Sequence, residues 1–327
     1  MQIANLMELE PSVVSKEIRD NSMLIFGASG IGKTPLALDI YGKERTLLMA
    51  FENSANGIAG AYVVNIDSYA TLTAYLGQLV NPAMREKFDN IIIDTLFLFD
   101  YYCEKSVTDA YGKDLIRDCL AYNQGYKIID KRFLTAIKQL QKMGYNLCYV
   151  AHPIEKKVKG ANGVEQIRIE PKVSDRIANL LLPEIDIRLY CTYDEQGQRV
   201  VYTQATPFFD ARCRVSEMPP VVPFDGNIIR EEFTKGVDKL AKTNAGLIVE
   251  KKESVIVEEP TFEEIMDKIM QLGSKAQELG KFEDANRILL AELGCDDEGK
   301  PRRIDQATPE MMGALKTILV RLEQLVG

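Results

Sequence analysis

The chain has 327 residues, of which 46% are hydrophobic and 27% charged, and its net charge of −8 fits an ordinary globular protein with a sizeable core. A single histidine excludes any mechanism or metal site built on two, and six cysteines without a CxxC pair argue against a zinc site and a disulfide framework. No run approaches the roughly 18 apolar residues of a membrane helix, and no basic region precedes an apolar stretch at the N-terminus, so we expect a cytoplasmic protein without a membrane segment.

The first predicted elements surround a glycine-rich stretch. Residues 1–20 have little periodicity and are interpreted as a leader, which contributes either an added edge strand or a subunit contact. The apolar run 22–26 predicts a short buried strand, and residues 35–40 predict the first turns of a helix. Between these two elements stand Gly27, Ala28, Ser29, Gly30, Ile31, Gly32, Lys33 and Thr34.

A strand, a glycine-rich turn and a helix in this order are the context of a phosphate-binding loop. Glycines adopt backbone angles forbidden to other residues, so that consecutive N–H groups and the helix N-terminus can surround a polyphosphate. Lys33 is then expected to reach the β- and γ-phosphates, and the Thr34 hydroxyl to hold Mg²⁺. Pro35 is compatible with this role, because the first turn of a helix has N–H groups to spare. The alternative is a glycine turn with a structural role only.

Strands continue to alternate with helices up to about residue 190. This alternation requires right-handed crossovers and a mostly parallel sheet. Residues 95–127 predict a long irregular segment with five tyrosines among charges, and residues 154–163 predict a polar, locally basic, mobile loop. The predicted strands are 45–51, 62–66, 88–94 and 146–151, the predicted helices are 69–80, 128–143 and 175–182, and a hairpin is predicted at 185–203.

The pattern changes after residue 223. A helix is predicted at 227–243, followed by an acidic tether and by three helices that are enough for a small bundle. Residues 245–327 carry 17 acidic and 11 basic side chains, which leaves the larger part of the chain nearly neutral. The sequence therefore predicts an α/β domain with a mostly parallel sheet, plus a small all-α module at the C-terminus. The predicted segments are a leader (1–20), the α/β domain with the glycine-rich stretch (21–226), a helix with an acidic linker (227–260) and the helical module (261–327).

Three polar residues end predicted buried strands, at the carboxyl edge where open parallel sheets bind ligands. Asp94 can hold Mg²⁺ directly or through water. Glu52 can orient and deprotonate an attacking water molecule. His152 can touch both a γ-phosphate and the start of the following loop, and so report the nucleotide state. The alternatives are an aspartate in a turn, an exposed loop glutamate and a structural histidine.

The stretch GASGIGKT, together with Glu52, Asp94-Thr95, Ala151-His152 and the basic glycine loop beyond, resembles the RecA-like ATPases. Within them the chain is similar to phage and prophage RecA-like nucleotide-binding proteins, some of which are single-strand annealing recombinases. The resemblance covers residues 20 to about 225. It implies a RecA-like P-loop NTPase fold and ATP with Mg²⁺ as cofactors. It also implies Glu52 as the catalytic glutamate and His152 as the polar switch residue, on a strand between the phosphate-loop strand and the aspartate strand.

The same resemblance implies a site completed by a neighbouring subunit and two segments that face DNA. Arg212 and Arg214 are the candidates for a basic residue that acts across the subunit interface, and the alternative is a pair of surface arginines. The tyrosine-rich segment 101–126 and residues 153–170 match the DNA-facing loops. Three glutamates leave the net charge of the second loop only slightly positive. Its candidate DNA-binding residues are Lys156, Lys157, Lys159 and Arg168.

The expected function is that of a Mg²⁺-dependent, DNA-stimulated ATPase that assembles into a filament or ring. It is expected to act on single-stranded DNA in annealing, recombination or repair, in a phage-infected bacterial cell. The C-terminal module is expected to contact a single-strand-binding protein or a neighbouring subunit, or else only to aid solubility. Two alternatives remain open. One is a nucleotide-gated adaptor or loader that recruits replication or recombination proteins, and the other is a small-molecule kinase, against which the lack of an arginine-rich lid argues.

Overall fold

The computed structural model describes residues 14–52, 57–159, 163–243, 248–249, 261–294, 302–308 and 311–326. These residues fall into two compact units, one within Ala4–Val257 and one within Glu258–Gly327. In the larger unit the helices are α1 (Lys33–Tyr41), α2 (Tyr69–Leu79), α3 (Pro82–Lys87), α4 (Leu96–Tyr111), α5 (Gln124–Lys142), α6 (Asp175–Leu181) and α7 (Gly226–Thr243). Its strands are β1 (Val14–Ser15), β2 (Met23–Gly27), β3 (Thr46–Ala50), β4 (Tyr62–Asn65), β5 (Asn90–Asp94), β6 (Asn146–Ala151), β7 (Pro153–Lys159), β8 (Glu165–Pro171), β9 (Ile187–Tyr193), β10 (Arg199–Tyr202), β11 (Arg212–Cys213), β12 (Val221–Pro223) and β13 (Ile248–Val249).

A mixed sheet forms the centre of the larger unit. Its strand order is β12-β10-β9-β2-β6-β5-β3-β4, and β11 pairs with β9 beside this path. From β9 to β4 all neighbouring strands are parallel, whereas β10, β11 and β12 are antiparallel to their neighbours. Strand β6, which ends just before His152, lies between β2 and β5. The predicted α/β fold with a mostly parallel sheet between helices is therefore confirmed.

Both faces of the sheet are covered, because its central strands are apolar on both sides. All residues of β2, β3 and β5 are buried. Leu24 and Phe26 of β2 pack into one core with residues of α2, α4 and α5, and Met23 and Ile25 pack into the other with residues of α1 and α7. The residues that follow the parallel strands are thereby brought together at the carboxyl edge of the sheet.

The prediction of an irregular segment over 95–127 is wrong for its first half, where α4 forms. The buried side chains of α4 include Leu96, Phe99, Cys103 and Val107, which recur at helical spacing and face the core. Tyrosines and charged residues on the exposed face interrupt this apolar stripe along the sequence. The helical period is hidden for that reason.

The prediction of a mobile loop over 154–163 is also wrong. Strands β7 and β8 form an antiparallel ribbon, which pairs from Pro153 with Pro171 to Lys159 with Glu165. Residues 160–162, at the turn of this ribbon, lie outside the described residues. Charged side chains occupy both faces of β7, so the alternation that marks a half-buried strand is weak in the sequence.

The larger unit extends beyond the predicted limits of 21–226. Ile229, Phe233 and Val237 of α7 are fully buried in the core that also contains α1. A short parallel pair joins β1 to β13, so that parts of the predicted leader and of the predicted acidic linker are paired with each other. The rest of both segments lies outside the described residues.

The smaller unit contains α8 (Phe262–Glu278), α9 (Phe282–Leu293) and α10 (Met312–Val326). A capping box begins α8, in which Thr261 and Glu264 satisfy each other's backbone N–H groups. The core contains Ile265 and Leu322, both fully buried. Across the described parts of both units, no helix is long and apolar enough to span a membrane.

Candidate nucleotide site

The glycine-rich stretch forms a tight turn between β2 and α1. Gly30 and Gly32 have φ angles of 76° and 103°, in the left-handed region that glycine adopts without strain. A Cβ at Gly27 would collide with the carbonyl oxygen of Cys191 on the neighbouring strand β9. The structure therefore shows the strand-turn-helix context that a phosphate-binding loop requires.

Lys33, the first residue of α1, turns its side chain back over this loop. Its ammonium group donates a hydrogen bond to the Ala28 carbonyl at 3.0 Å, and only 7% of the residue is exposed. Burial lowers the pKa of Lys33, and the nearby Asp94 carboxylate opposes this effect. A buried cation beside a glycine-rich turn, with no bond to a carboxylate among the described residues, is suited to bind an anionic phosphate.

Thr34 and Asp94 meet at the end of β5. The Thr34 hydroxyl donates to Asp94 Oδ2 at 2.6 Å, across 60 residues of sequence. Asp94 is 3% exposed, and burial raises its pKa, although the Thr34 hydrogen bond and Lys33 act in the opposite direction. A hydroxyl and a carboxylate oxygen beside a phosphate loop are the kind of hard ligand set that Mg²⁺ uses, with water and phosphate oxygens completing its shell. The residues thus fit the predicted metal site.

Glu52 and His152 contact each other at the same edge. Glu52 Oε1 lies 3.0 Å from His152 Nε2 and accepts a hydrogen bond from the Thr95 hydroxyl at 3.1 Å. The side chains of Glu52 and His152 are each 29% exposed, so solvent reaches both. The structure therefore brings Glu52, Asp94 and His152 together with the loop. No role was predicted for Thr95, which the sequence marks only as the residue after Asp94 in the set of motifs that resembles the RecA-like ATPases.

Arg212 and Arg214 lie elsewhere. Strand β11 pairs with the amino end of β9, at Ile187 and Arg188, whereas the phosphate loop is at the carboxyl end of the parallel strands. Arg214 forms an ion pair with Asp186 at 2.8 Å, and Arg212 donates to the Pro183 carbonyl at 3.4 Å. These arginines do not join the site of their own chain, and a catalytic role for either would require a neighbouring subunit.

The four predicted DNA-binding residues divide into two pairs on the β7–β8 ribbon. Lys156 binds Asp175 at 2.8 Å and lies 3.6 Å from Glu170, and Arg168 lies 3.6 Å from Asp210. Lys157 and Lys159 are exposed on the opposite face of the ribbon. Only this second pair is presented to solvent without a carboxylate within 4 Å among the described residues.

Arg199 was missed by the sequence analysis. It begins β10, and its Nη1 atom donates to the carbonyl of Ile31 in the glycine loop at 3.2 Å, across 168 residues of sequence. Its guanidinium lies over the Phe224 ring, 4.6 Å from the ring centre. No motif marks Arg199, because only the pairing of β10 with β9 carries it to the loop.

A cavity of about 470 Å³ opens beside Glu52, on the side of β3 and β4. Asn65, Asp67 and Tyr102 contribute polar groups to its wall, and Leu98 contributes apolar surface. Its volume is in the range of pockets that hold small molecules.

Two comparisons with known proteins agree with this geometry. The SPbeta prophage-derived uncharacterized protein YorG of Bacillus subtilis (strain 168) is 26% identical to this chain over 331 aligned positions, which cover 97% of each protein. The profile of the family described as AAA domain matches residues 19–215, a range that contains the glycine loop, Glu52, Asp94 and His152. With a phosphate loop between β2 and α1 and a profile match over more than half of its length, the chain belongs to the AAA domain family of P-loop ATPases.

Proposed function

We propose that this protein is a Mg²⁺-dependent ATPase that binds single-stranded DNA and acts in annealing, recombination or repair during phage growth. One observation carries the proposal: the candidate catalytic Glu52 contacts His152, and the β7–β8 ribbon begins at the next residue. The relative from a prophage supports the phage setting.

The hydrolytic roles follow from the surroundings of each side chain. The loop amides bind the α- and β-phosphates and Lys33 reaches the β- and γ-phosphates, while Thr34 and Asp94 would hold Mg²⁺. When bound, Mg²⁺ neutralises negative charge on the phosphate oxygens. Glu52, which is partly open to solvent, orients a water molecule and accepts its proton. Thr95 fixes the carboxylate of Glu52 through its hydroxyl hydrogen bond.

His152 connects this site to the ribbon through its backbone as well as its side chain. Its carbonyl accepts a hydrogen bond from the Lys172 N–H at 2.7 Å. Pro153 begins β7 and Lys172 follows the last residue of β8, so both are at the base of the ribbon. A movement of His152 toward or away from a γ-phosphate would therefore shift both strands at their base. The ribbon is the element through which DNA binding responds to the nucleotide.

Exposed cations on the β7–β8 ribbon and exposed aromatic rings on α4 are suited to bind single-stranded DNA. Lys157 and Lys159 provide phosphate contacts, whose strength comes largely from counterion release. On α4, Phe97 and Tyr101 are 40% and 50% exposed and stand one helical turn apart, and the Lys172 ammonium lies 4.3 Å from the Phe97 ring centre. Exposed rings next to cations form stacking platforms for bases. We infer that the DNA path runs from the ribbon to the first turns of α4.

Assembly into a ring or filament and contact with a single-strand-binding protein remain part of this proposal. Arg212 and Arg214 stand at the edge of the sheet opposite the phosphate loop, where they can serve only the site of another copy. The helical unit within 258–327 supplies the surface for a protein partner. Sedimentation with and without ATP and DNA tests the assembly directly.

The test of the function is ATP hydrolysis with and without single-stranded DNA. We expect the parent to release phosphate faster with an oligonucleotide present, K33A to have no turnover, and the pair K157Q/K159Q to lose the stimulation but keep the basal rate. The pair K156Q/R168Q is the matched control, because it removes two charges that are already bound to carboxylates. Hydrolysis without DNA affinity in any nucleotide state would overturn the DNA part of the proposal and favour the nucleotide-gated adaptor.

A second candidate function is phosphoryl transfer to a small molecule. The cavity beside Glu52 is the observation that favours it, because its polar wall stands next to the candidate base. Transfer of the labelled γ-phosphate of ATP to any component of a metabolite mixture, in place of release as inorganic phosphate, would support this function over hydrolysis.

A further inference from the structure

The first turn of α1, directly after the phosphate loop, has one backbone N–H donor fewer than a helix without proline would have there. In such loops the N–H groups of the turn and of the first helical turn surround the α- and β-phosphates. Pro35 is the third residue of α1 and has no N–H group. A nucleotide bound here therefore lacks one hydrogen bond at the start of α1, unless another group supplies it.

Arg199 lies at the start of α1, the part of the helix that lacks this N–H group. Its Nη1 atom lies 3.1 Å from the point that a Cβ on Gly32 would occupy, and two ring carbons of Phe224 lie 3.4 Å from the same point. The guanidinium is held in place by its hydrogen bond to the Ile31 carbonyl and by stacking on Phe224.

Arg199 reaches the start of α1 at Gly32, the residue that caps this helix and precedes Pro35 by three positions. Pro35 and Asp39 are four residues apart, so they lie on one face of α1. The first residue of α7, Gly226, approaches Asp39 so closely that a Cβ on this glycine would lie 2.7 Å from the Asp39 Cβ. Phe224 precedes Gly226 by two residues and contacts Gly32 at the other end of this face. The connection from β12 to α7 thus passes along the face that carries the exposed Pro35.

The charge of Arg199 has no acidic partner among the described residues, since no carboxylate lies within 4 Å of its guanidinium. Two other arginines of the larger unit do have acidic partners, Arg188 with Asp210 and Arg214 with Asp186. A guanidinium has five donors, and the hydrogen bond to Ile31 uses one of them. A cation with free donors beside a phosphate loop is suited to a phosphate oxygen.

We infer that Arg199 is a nucleotide-binding residue that donates to the α-phosphate of ADP or ATP from within the same chain, in place of the N–H that Pro35 lacks. The inference rests on the proposed nucleotide site and adds a residue to it. Phe224 acts as a positioning residue, because its ring fixes the plane of the guanidinium.

The test is a double-mutant cycle between Arg199 and Pro35, read by titration of the full chain with fluorescent ADP in the presence of Mg²⁺. R199Q should weaken binding by about tenfold to a hundredfold, the range for a hydrogen bond to a charged group. P35A restores a backbone N–H, so in the R199Q background it should recover part of the lost affinity. R199K keeps the charge but not the planar fork of donors, so its affinity for fluorescent ADP should lie between those of the parent and R199Q. K43Q, which removes a positive charge just beyond the far end of α1, is the matched control and should bind as the parent does.

Two results would overturn the inference while leaving the nucleotide site intact. In the first, R199Q binds fluorescent ADP as tightly as the parent. In the second, R199Q is weak but P35A recovers nothing, which would mean that Arg199 acts only by holding the loop through Ile31. A wrong assignment of the nucleotide site would give a different result, because the parent and K33A would then bind fluorescent ADP equally poorly. Thermal unfolding without nucleotide shows whether each variant is folded.

Discussion

Glu52 and Asp94 are two carboxylates of one site, but their surroundings differ. Asp94 is buried against Thr34 and lies near the Lys33 ammonium group, whereas Glu52 is partly exposed and contacts Thr95 and His152. A metal ligand benefits from burial, since the cation replaces the lost water, and a base that acts on water needs access to solvent. The two environments therefore suit the two proposed roles, Asp94 as metal ligand and Glu52 as base.

We expect E52Q to bind ATP about as tightly as the parent and to hydrolyse it on the order of a hundredfold more slowly. Glutamine still accepts the hydrogen bond from Thr95, but it cannot accept a proton from water, and loss of a general base has an effect of about this size. Phosphate release and fluorescent ATP binding measure the two quantities, with E44Q on the surface as the control. Lower affinity with intact turnover would mean that Glu52 is a binding or structural residue.

D94N should make the protein without nucleotide and Mg²⁺ more stable at neutral pH. A carboxyl whose pKa is raised by burial stabilises the fold below its unfolded pKa and loses that contribution as the pH rises through its folded pKa. At neutral pH the buried charge of Asp94 is unfavourable, and asparagine removes it while still accepting the Thr34 hydrogen bond. Urea unfolding in EDTA should give D94N a higher free energy of unfolding than the parent at pH 7, and this difference should shrink in acid.

The same D94N variant should lose the extra stability that Mg²⁺ with nucleotide gives to the parent, because its metal ligand is gone. D118N, on the surface, is the control and should change neither quantity. A D94N variant that is less stable than the parent at pH 7 would show that the Asp94 charge is already compensated within the folded chain.

At the scale of elements, the β7–β8 ribbon contacts the nucleotide site at its base, and β8 is also held by backbone hydrogen bonds to residues 208–210. His152 touches Glu52 with its ring and holds the base of the ribbon with its carbonyl, through Lys172. The exposed Lys157 and Lys159 stand further along the same ribbon. In the proposed function, His152 is the residue that links the nucleotide to these lysines.

We expect H152A to bind ATP nearly as the parent does and to lose the difference in DNA affinity between the ATP and ADP states. Alanine keeps the backbone hydrogen bond from Lys172 and removes only the imidazole ring, which contacts Glu52. Fluorescence anisotropy with a labelled oligonucleotide over a salt series measures this difference, and K157Q/K159Q should in addition flatten the salt dependence. An H152A protein that keeps the parent's difference would show that the ribbon responds by another route.

At the scale of the whole molecule, the larger unit ends later than its sequence pattern indicates. Helix α7 contributes Ile229, Phe233 and Val237 to the core around α1, and the loss of one buried phenylalanine ring alone costs about 3–5 kcal/mol. Strand β13 adds a pair with β1. The helical unit within 258–327 has its own core and its own capping box.

A chain that ends at Val257 should therefore fold and bind nucleotide with the affinity of the full protein. A chain that ends at Asp225 should not fold, because it lacks α7 and exposes the core behind α1. Thermal unfolding and fluorescent ADP binding of the two truncated chains test this. Loss of the thermal transition in the longer chain would show that the helical unit is required for the core of the larger one.

The sequence by itself determined the features that neighbouring residues specify. The glycine loop at 27–34, the buried strands and the ends of those strands at Glu52, Asp94 and His152 are encoded in short runs, because glycine conformation and apolar burial act over a few residues. The amphipathic stripe of α4 and the alternation of the ribbon are local as well, but charged residues and tyrosines mask them.

The tertiary structure alone decided which distant residues meet. Glu52 and His152 are 100 residues apart, and Ile31 and Arg199 are 168 apart. Their contacts depend on the strand order, which sets β3, β5 and β6 side by side and joins β2 to β10 through β9. The same order decides that Lys156 and Arg168 are bound to carboxylates while Lys157 and Lys159 are free to meet a ligand. The physical reason is that strand pairing is selected by the packing of the whole core, which no short run of sequence contains.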